Sequence, residues 1–194
     1  RQAYESGKGV LLLTPHLGCF EVTAQAITDA FSQAHGPLTV LYRPSRKAGL
    51  ADVMESSRGR PGLEPVPTTM AGVRQMIKAL RAGRAVGLLP DQVPPLGMGQ
   101  WAPFFGKPAY TMTLAARLAQ EADTVLLMWG ERLPWGRGFR IHVCRPPGPL
   151  PTDLTEAAAC VNNWVAQLIK ACPEQYLWGY DRFKGPKLTG GEKA

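Results

Sequence analysis

The feature that most restricts this chain is a rhythm: short apolar runs, each stopped by turn residues, alternate with stretches of helical periodicity. Val10–Thr14, Leu38–Tyr42, Glu64–Pro67 and Ala85–Leu89 read as strands; Pro15–Gly18 breaks the first and Pro44 ends the second. Between them the pattern predicts helices over Cys19–Phe31, near Gly49–Ser57 and over Met70–Ala82. In the last, Val73, Met76, Ile77 and Leu80 recur at i, i+3, i+4 and i+7, and Gly83 supplies a stop. Further on, helices are expected over Thr111–Glu121 and Thr155–Ala171, the latter with a Val161, Trp164, Val165, Leu168 stripe. Thr124–Leu133 and Phe139–Cys144 are expected as strands joined around Pro134–Gly138. Val93–Lys107 reads as a long irregular loop carrying Trp101, Phe104 and Phe105, where exposed aromatics suit an apolar ligand or a satellite packing cluster. The rhythm implies an α/β fold: one αβα sandwich with a mostly parallel or mixed central sheet flanked by helices. At 194 residues a single domain, 1–194, accommodates all of it.

Composition narrows the partners. The chain is 45% hydrophobic, enough for a sizeable core, and no apolar run reaches the roughly 18 residues a spanning helix needs. A formal charge of +7 favours an anionic partner: phosphate, nucleic acid, anionic lipid or an acidic protein. Nucleic acid is disfavoured because the aromatics gather in one loop instead of alternating with Lys and Arg along a groove. The stripe Arg74, Lys78, Arg81 is read as a solvated helix face with cations near its C-terminus. Cys19, Cys144, Cys160 and Cys172 form no C-x-x-C and no Cys/His cluster, so neither a structural zinc site nor a redox pair is signalled and no metal or other cofactor is expected.

Chemistry concentrates at two strand ends. In open α/β sheets ligands gather outside the carboxyl ends of strands, so His16 after the first strand and Pro90-Asp91-Gln92 after a later one can face one crevice. His16 and Glu21 would diverge by about 140° if both were helical. With Pro15 and Gly18 keeping His16 in the turn and Glu21 in the first helical turn, the carboxylate can fold back towards the imidazole. Such a pair describes a general base waiting for a hydroxyl. The competing reading is a charge cap at a helix N-terminus beside an ordinary turn histidine. Cys19, near the same helix start, is an alternative nucleophile. No serine sits in a G-x-S-x-G elbow, and neither a Walker A nor a G-x-G-x-x-G run occurs.

Several motifs in order carry a resemblance: H-x4-E at His16–Glu21, Leu41-Tyr42-Arg43-Pro44, Arg58 four before Gly62, Leu89-Pro90-Asp91-Gln92, Pro103-Phe104-Phe105-Gly106-Lys107-Pro108, Pro173-Glu174-Gln175-Tyr176-Leu177-Trp178 and Arg182-Phe183-Lys184. Together, from about Gly9 to Pro186, they resemble the lipid A biosynthesis acyltransferases, the late lauroyl/myristoyl transferases within the glycerolipid and lysophospholipid acyltransferase superfamily. The resemblance implies a glycerol-3-phosphate acyltransferase-like sandwich. It also implies an O-acyltransferase that moves a fatty acyl chain from an acyl carrier protein thioester to a hydroxyl of an anionic lipid A precursor, at the cytoplasmic face of the inner membrane. His16 would deprotonate the hydroxyl and Glu21 would orient His16, with no covalent acyl-enzyme. The family's arginine and aspartate map onto Arg58, with Arg60 a neighbour in competition, and Asp91. Gln92, Phe104 and Phe105 are carried over as substrate contacts, and Arg43 and Arg132 as phosphate contacts. Members have an N-terminal membrane-anchoring part that this chain, starting at Arg1, is expected to lack, leaving peripheral or anchored membrane contact inferred. Where many members have Asn-Trp, this chain has Cys19-Phe20. The same proton abstraction serves a lysophospholipid, ornithine lipid or other glycolipid acceptor, and a non-catalytic lipid-binding module would keep the fold without turnover.

Overall fold

A computed structural model describes residues 1–42 and 61–187, so Arg43, Arg58, Arg60 and the helix expected near Gly49–Ser57 lie outside the described residues. The chain order is α1 (Gln2–Glu5), β1 (Val10–Leu13), α2 (Phe20–His35), β2 (Leu38–Tyr42), β3 (Leu63–Pro67), α3 (Met70–Arg81), β4 (Ala85–Leu88), β5 (Gly99–Phe104), β6 (Lys107–Met112), α4 (Leu114–Glu121), β7 (Thr124–Arg132), β8 (Phe139–Cys144) and α5 (Leu154–Ala171). Six strands form one sheet in the order β3-β2-β4-β1-β7-β8. All neighbours are parallel except β7 and β8, which form an antiparallel edge.

Burial on both faces explains why the central strands are apolar throughout instead of alternating with polar residues. In β1, Leu11 and Leu13 enter a core with Met76 and Leu80 of α3, Leu118 of α4 and Trp164 of α5, whereas Val10 and Leu12 face Ala24, Ile27 and Phe31 of α2 and Tyr4 of α1. The period-2 alternation thus partitions one strand between two helical layers. Trp164 is almost fully buried at the centre of the larger layer, and truncating a side chain of that size costs about 3–5 kcal/mol. Helix α5 starts where Asp153 accepts hydrogen bonds from the Thr155 and Glu156 amides, both at 2.9 Å, satisfying donors the helix leaves free.

One expectation is corrected. Much of Val93–Lys107 is not irregular loop: β5 and β6 form a separate antiparallel hairpin turned at Phe105-Gly106. Ala102, Phe104 and Ala109 are buried from it, while Trp101 and Phe105 stay exposed. The predicted helix start at Thr111 also moves, since Thr111 and Met112 finish β6 and the helix begins at Leu114.

The topology positions the site. The chain leaves β1 towards β2 but leaves β4 towards β7, on opposite sides of the β1–β4 pair. That reversal opens a crevice at the carboxyl ends of β1 and β4, the place where doubly wound sheets hold ligands.

Candidate functional site

Residues after β1 turn sharply before α2, and two glycines set how closely they approach β7. Gly18 has φ of 59°, in the left-handed region, and a Cβ there would collide with the Gly130 carbonyl oxygen. In the space this leaves, the Cys19 amide donates to the Gly130 carbonyl at 2.8 Å. On the other side, the Gly18 amide donates to the Gln175 carbonyl at 2.9 Å and the Leu177 amide to the His16 carbonyl at 3.1 Å. The turn bearing His16 is therefore fastened to a strand and to the segment 175–177. The Gln175 side chain completes the fastening: its amide oxygen accepts from the Arg132 amide at 2.8 Å and its amide nitrogen donates to the Arg132 carbonyl at 3.0 Å.

Inside this frame the crevice brings His16 and Asp91 together from 75 residues apart. Asp91 Oδ1 lies 2.8 Å from His16 Nδ1, and Asp91 Oδ2 accepts the His16 main-chain amide at 2.9 Å. The imidazole keeps 14% exposure and the carboxylate 2%, so solvent reaches the ring but not the group behind it. A carboxylate accepting from Nδ1–H places the lone pair on Nε2. Gln92 Nε2 sits 3.1 Å from that nitrogen, and the Phe20 ring packs beside the imidazole with centroids 4.8 Å apart.

Behind Asp91 lies a second buried layer. The Tyr176 hydroxyl faces the Asp91 carboxylate, and burial first, then that negative charge, raise its pKa, so Tyr176 stays a neutral donor. Arg182, 3% exposed, donates Nη1 to the Tyr110 carbonyl at 2.9 Å and Nη2 to Thr111 Oγ1 at 2.7 Å and Asn162 Oδ1 at 3.1 Å. Its guanidinium lies 5.3 Å from the Phe104 ring centre. Burial lowers the Arg182 pKa while Tyr176 and Asp91 pull it back up. The cation thus ties the β5–β6 hairpin to α5 and offsets the buried carboxylate. Nearby, the Tyr180 hydroxyl accepts from the Val93 amide at 2.9 Å, holding the chain just past Gln92.

The sequence-predicted residues separate accordingly. His16, Asp91 and Gln92 converge. Glu21 stands exposed in the first turn of α2, next to Phe20, and the carboxylate bonded to Nδ1 is that of Asp91. Phe104 is a core residue under Arg182, whereas Phe105 is exposed with its ring 6.2 Å from that of Trp178. Arg132 is exposed. Cys172 beside Glu174 has its thiol pKa pushed up to about 11 by burial and by that carboxylate, which keeps it protonated. Among the described residues no group of three or more His, Cys, Asp and Glu could hold a metal ion. Gln175, Tyr176 and Arg182, to which the sequence pattern gives no role, lie within the 173–178 and 182–184 motifs.

A mostly parallel sheet flanked by helices, with a histidine held by a buried carboxylate at its switch point, places the chain among the doubly wound α/β proteins. The family can be stated: over residues 1–185 the chain matches the bacterial lipid A biosynthesis acyltransferases, and it belongs to that family. It is 28% identical over 188 residues to the lipid A biosynthesis palmitoleoyltransferase of Escherichia coli (strain K12), covering 95% of this chain and 58% of that protein. It is also 28% identical over 187 residues to the lipid A biosynthesis lauroyltransferase of the same organism, with 95% and 59% covered. A lipid A biosynthesis acyltransferase of Haemophilus influenzae is 22% identical over 177 residues, 91% of this chain and 54% of that protein. The chain therefore spans less than two thirds of the length of these curated relatives.

Proposed function

We propose that this domain transfers a fatty acyl chain from an acyl carrier protein thioester to a hydroxyl of a lipid A precursor, at the cytoplasmic side of the inner membrane. Family membership supports the reaction class. The observation that carries the mechanism is the His16–Asp91 pair, with Nδ1 bonded to a buried carboxylate and Nε2 turned towards Gln92.

Nε2 takes the proton of the acceptor hydroxyl as its oxygen attacks the thioester carbonyl carbon. The tetrahedral oxyanion collapses, the C–S bond breaks, and the imidazolium returns the proton to the leaving thiolate. No acyl-enzyme forms. Asp91 keeps the proton on Nδ1 and stabilises the imidazolium; this role replaces the substrate contact first expected of it. Gln92 occupies Nε2 at rest and yields to the incoming hydroxyl. Glu21 lies in the first turn of α2, where the helix dipole favours its negative charge, and helps to orient the turn that carries His16. Arg43, Arg58 and Arg132 serve the phosphates of the acceptor, a task suited to the guanidinium fork, and Phe105 contacts the acyl chain.

The test is acyl transfer by the purified protein from a carrier thioester to a lipid A precursor, read by mass spectrometry of the lipid. Wild type is expected to add one acyl chain. Undiminished transfer by His16→Ala would reject the general-base role.

A further inference from the structure

Two residues other than glycine have positive φ among the described residues, and both are exposed aromatics at hairpin tips: Phe105 at φ 48° and Trp135 at φ 60°. Bulky side chains rarely adopt this backbone, and holding one there costs folding stability. Trp135 recovers none of that cost by packing, since it is 93% exposed. Its tip is nonetheless well formed: the Leu133 amide donates to the Gly138 carbonyl at 2.9 Å, closing the turn from β7 to β8.

The tip belongs to the same edge of the sheet as His16. Gly130 bridges Gly18 in parallel, two residues past His16, and β7 continues to Arg132. At about 3.3 Å per residue the strand rises roughly 7 Å beyond that level before the tip begins. In sequence, Arg132 and Arg137 flank Trp135 and are exposed, and exposed Arg140 follows on β8 opposite Glu131, which it approaches at 3.6 Å and which His142 engages at 2.8 Å.

We propose that the Trp135 tip seats the domain on an anionic lipid bilayer, with the indole in the headgroup boundary and Arg137 and Arg140 on lipid phosphates, at the same edge of the sheet as the His16 crevice. Indole rings favour that boundary because one end is apolar and the other is wet. Each arginine near an anionic surface strengthens attachment about fivefold. The inference deepens the proposed function by assigning its acceptor surface, yet binding is measured without turnover and stands or falls by itself.

The experiment is co-sedimentation of the protein with phosphatidylglycerol/phosphatidylcholine vesicles and with phosphatidylcholine alone. Wild type is expected to partition onto the anionic vesicles and to be released by high salt. Trp135→Asn keeps a residue that tolerates positive φ and is expected to lower partition about tenfold. Arg137→Ser with Arg140→Ser is expected to lower it at least as much on anionic vesicles. Circular dichroism should be unchanged in all variants, and acyl transfer to a detergent-dispersed acceptor should be kept by Trp135→Asn. Wild-type partition in these variants, or no partition by wild type, overturns the proposal. So does a change in sedimenting mass of Trp135→Asn with vesicle binding intact, because the tip would then join copies of the chain. Absence of acyl transfer with vesicle binding and its Trp135 dependence preserved would reject the enzymatic reading alone.

Discussion

The loop after β4 and the first turn of α2 each bring one carboxylate to the edge where His16 sits, and they do so under opposite conditions. Asp91 is 2% exposed and both its oxygens are used on His16, one on the ring and one on the main chain. Glu21 is exposed to solvent at a helix start. A buried, doubly bonded carboxylate fixes geometry and is little affected by salt; an exposed one contributes through a field that salt screens over about 10 Å at 0.1 M. The contrast teaches that position in the fold, more than distance along the chain, decides which carboxylate meets the Nδ1 side of His16.

The comparison is most severely tested by removing its object. His16→Ala is expected to lower kcat by about 10²–10⁴-fold, the range a positioned general base supplies, with circular dichroism unchanged. Asp91→Asn comes next: loss of the carboxylate lets the wrong ring tautomer compete, and kcat should fall about 10²–10³-fold at low and high salt alike. Glu21→Gln should cost less, about tenfold, with a loss that shrinks as salt is raised; a salt-independent loss equal to that of Asp91→Asn would erase the distinction. Tyr176→Phe should lower kcat several-fold by removing the hydroxyl behind Asp91 and should leave KM unchanged.

The same tyrosine carries a pH signature. Its pKa is raised in the folded state above the usual 10.0, so its contribution to stability is complete below pH 10 and is lost as pH climbs past that value. Tyr4 is raised in the same direction by burial. Melting temperature should therefore fall above about pH 10, and less steeply in Tyr176→Phe. The smallest effect is expected at the amino-end surface of the sheet, where Arg81 pairs with Glu121 at 2.8 Å in solvent. Arg81→Ala should leave both activity and melting temperature within error.

Much of the fold was legible because buried strands and amphipathic helices write their periods locally: Val10–Leu13 and Met70–Arg81 fall within a residue of their expected limits. The β5–β6 hairpin was not. Pro103 and Pro108 lie opposite each other in its register and mask the strand pattern that Ala102, Phe104 and Ala109 would otherwise show. At the site, His16 and Asp91 could each be found from strand ends, but their bond depends on β1 lying beside β4, a matter of strand order that spacing does not encode. Tyr176 and Arg182 escaped for the same reason: each acts across the fold on a partner more than 70 residues away.

The central claim is that Asp91 keeps the proton on Nδ1 and leaves the lone pair on Nε2, where Gln92 rests until a hydroxyl displaces it. Nitrogen-15 NMR of His16 in the resting protein, above the pH at which the ring is neutral, reads this directly. The account predicts the Nδ1–H tautomer in wild type and a mixture in Asp91→Asn; an Nε2–H tautomer in wild type would contradict it.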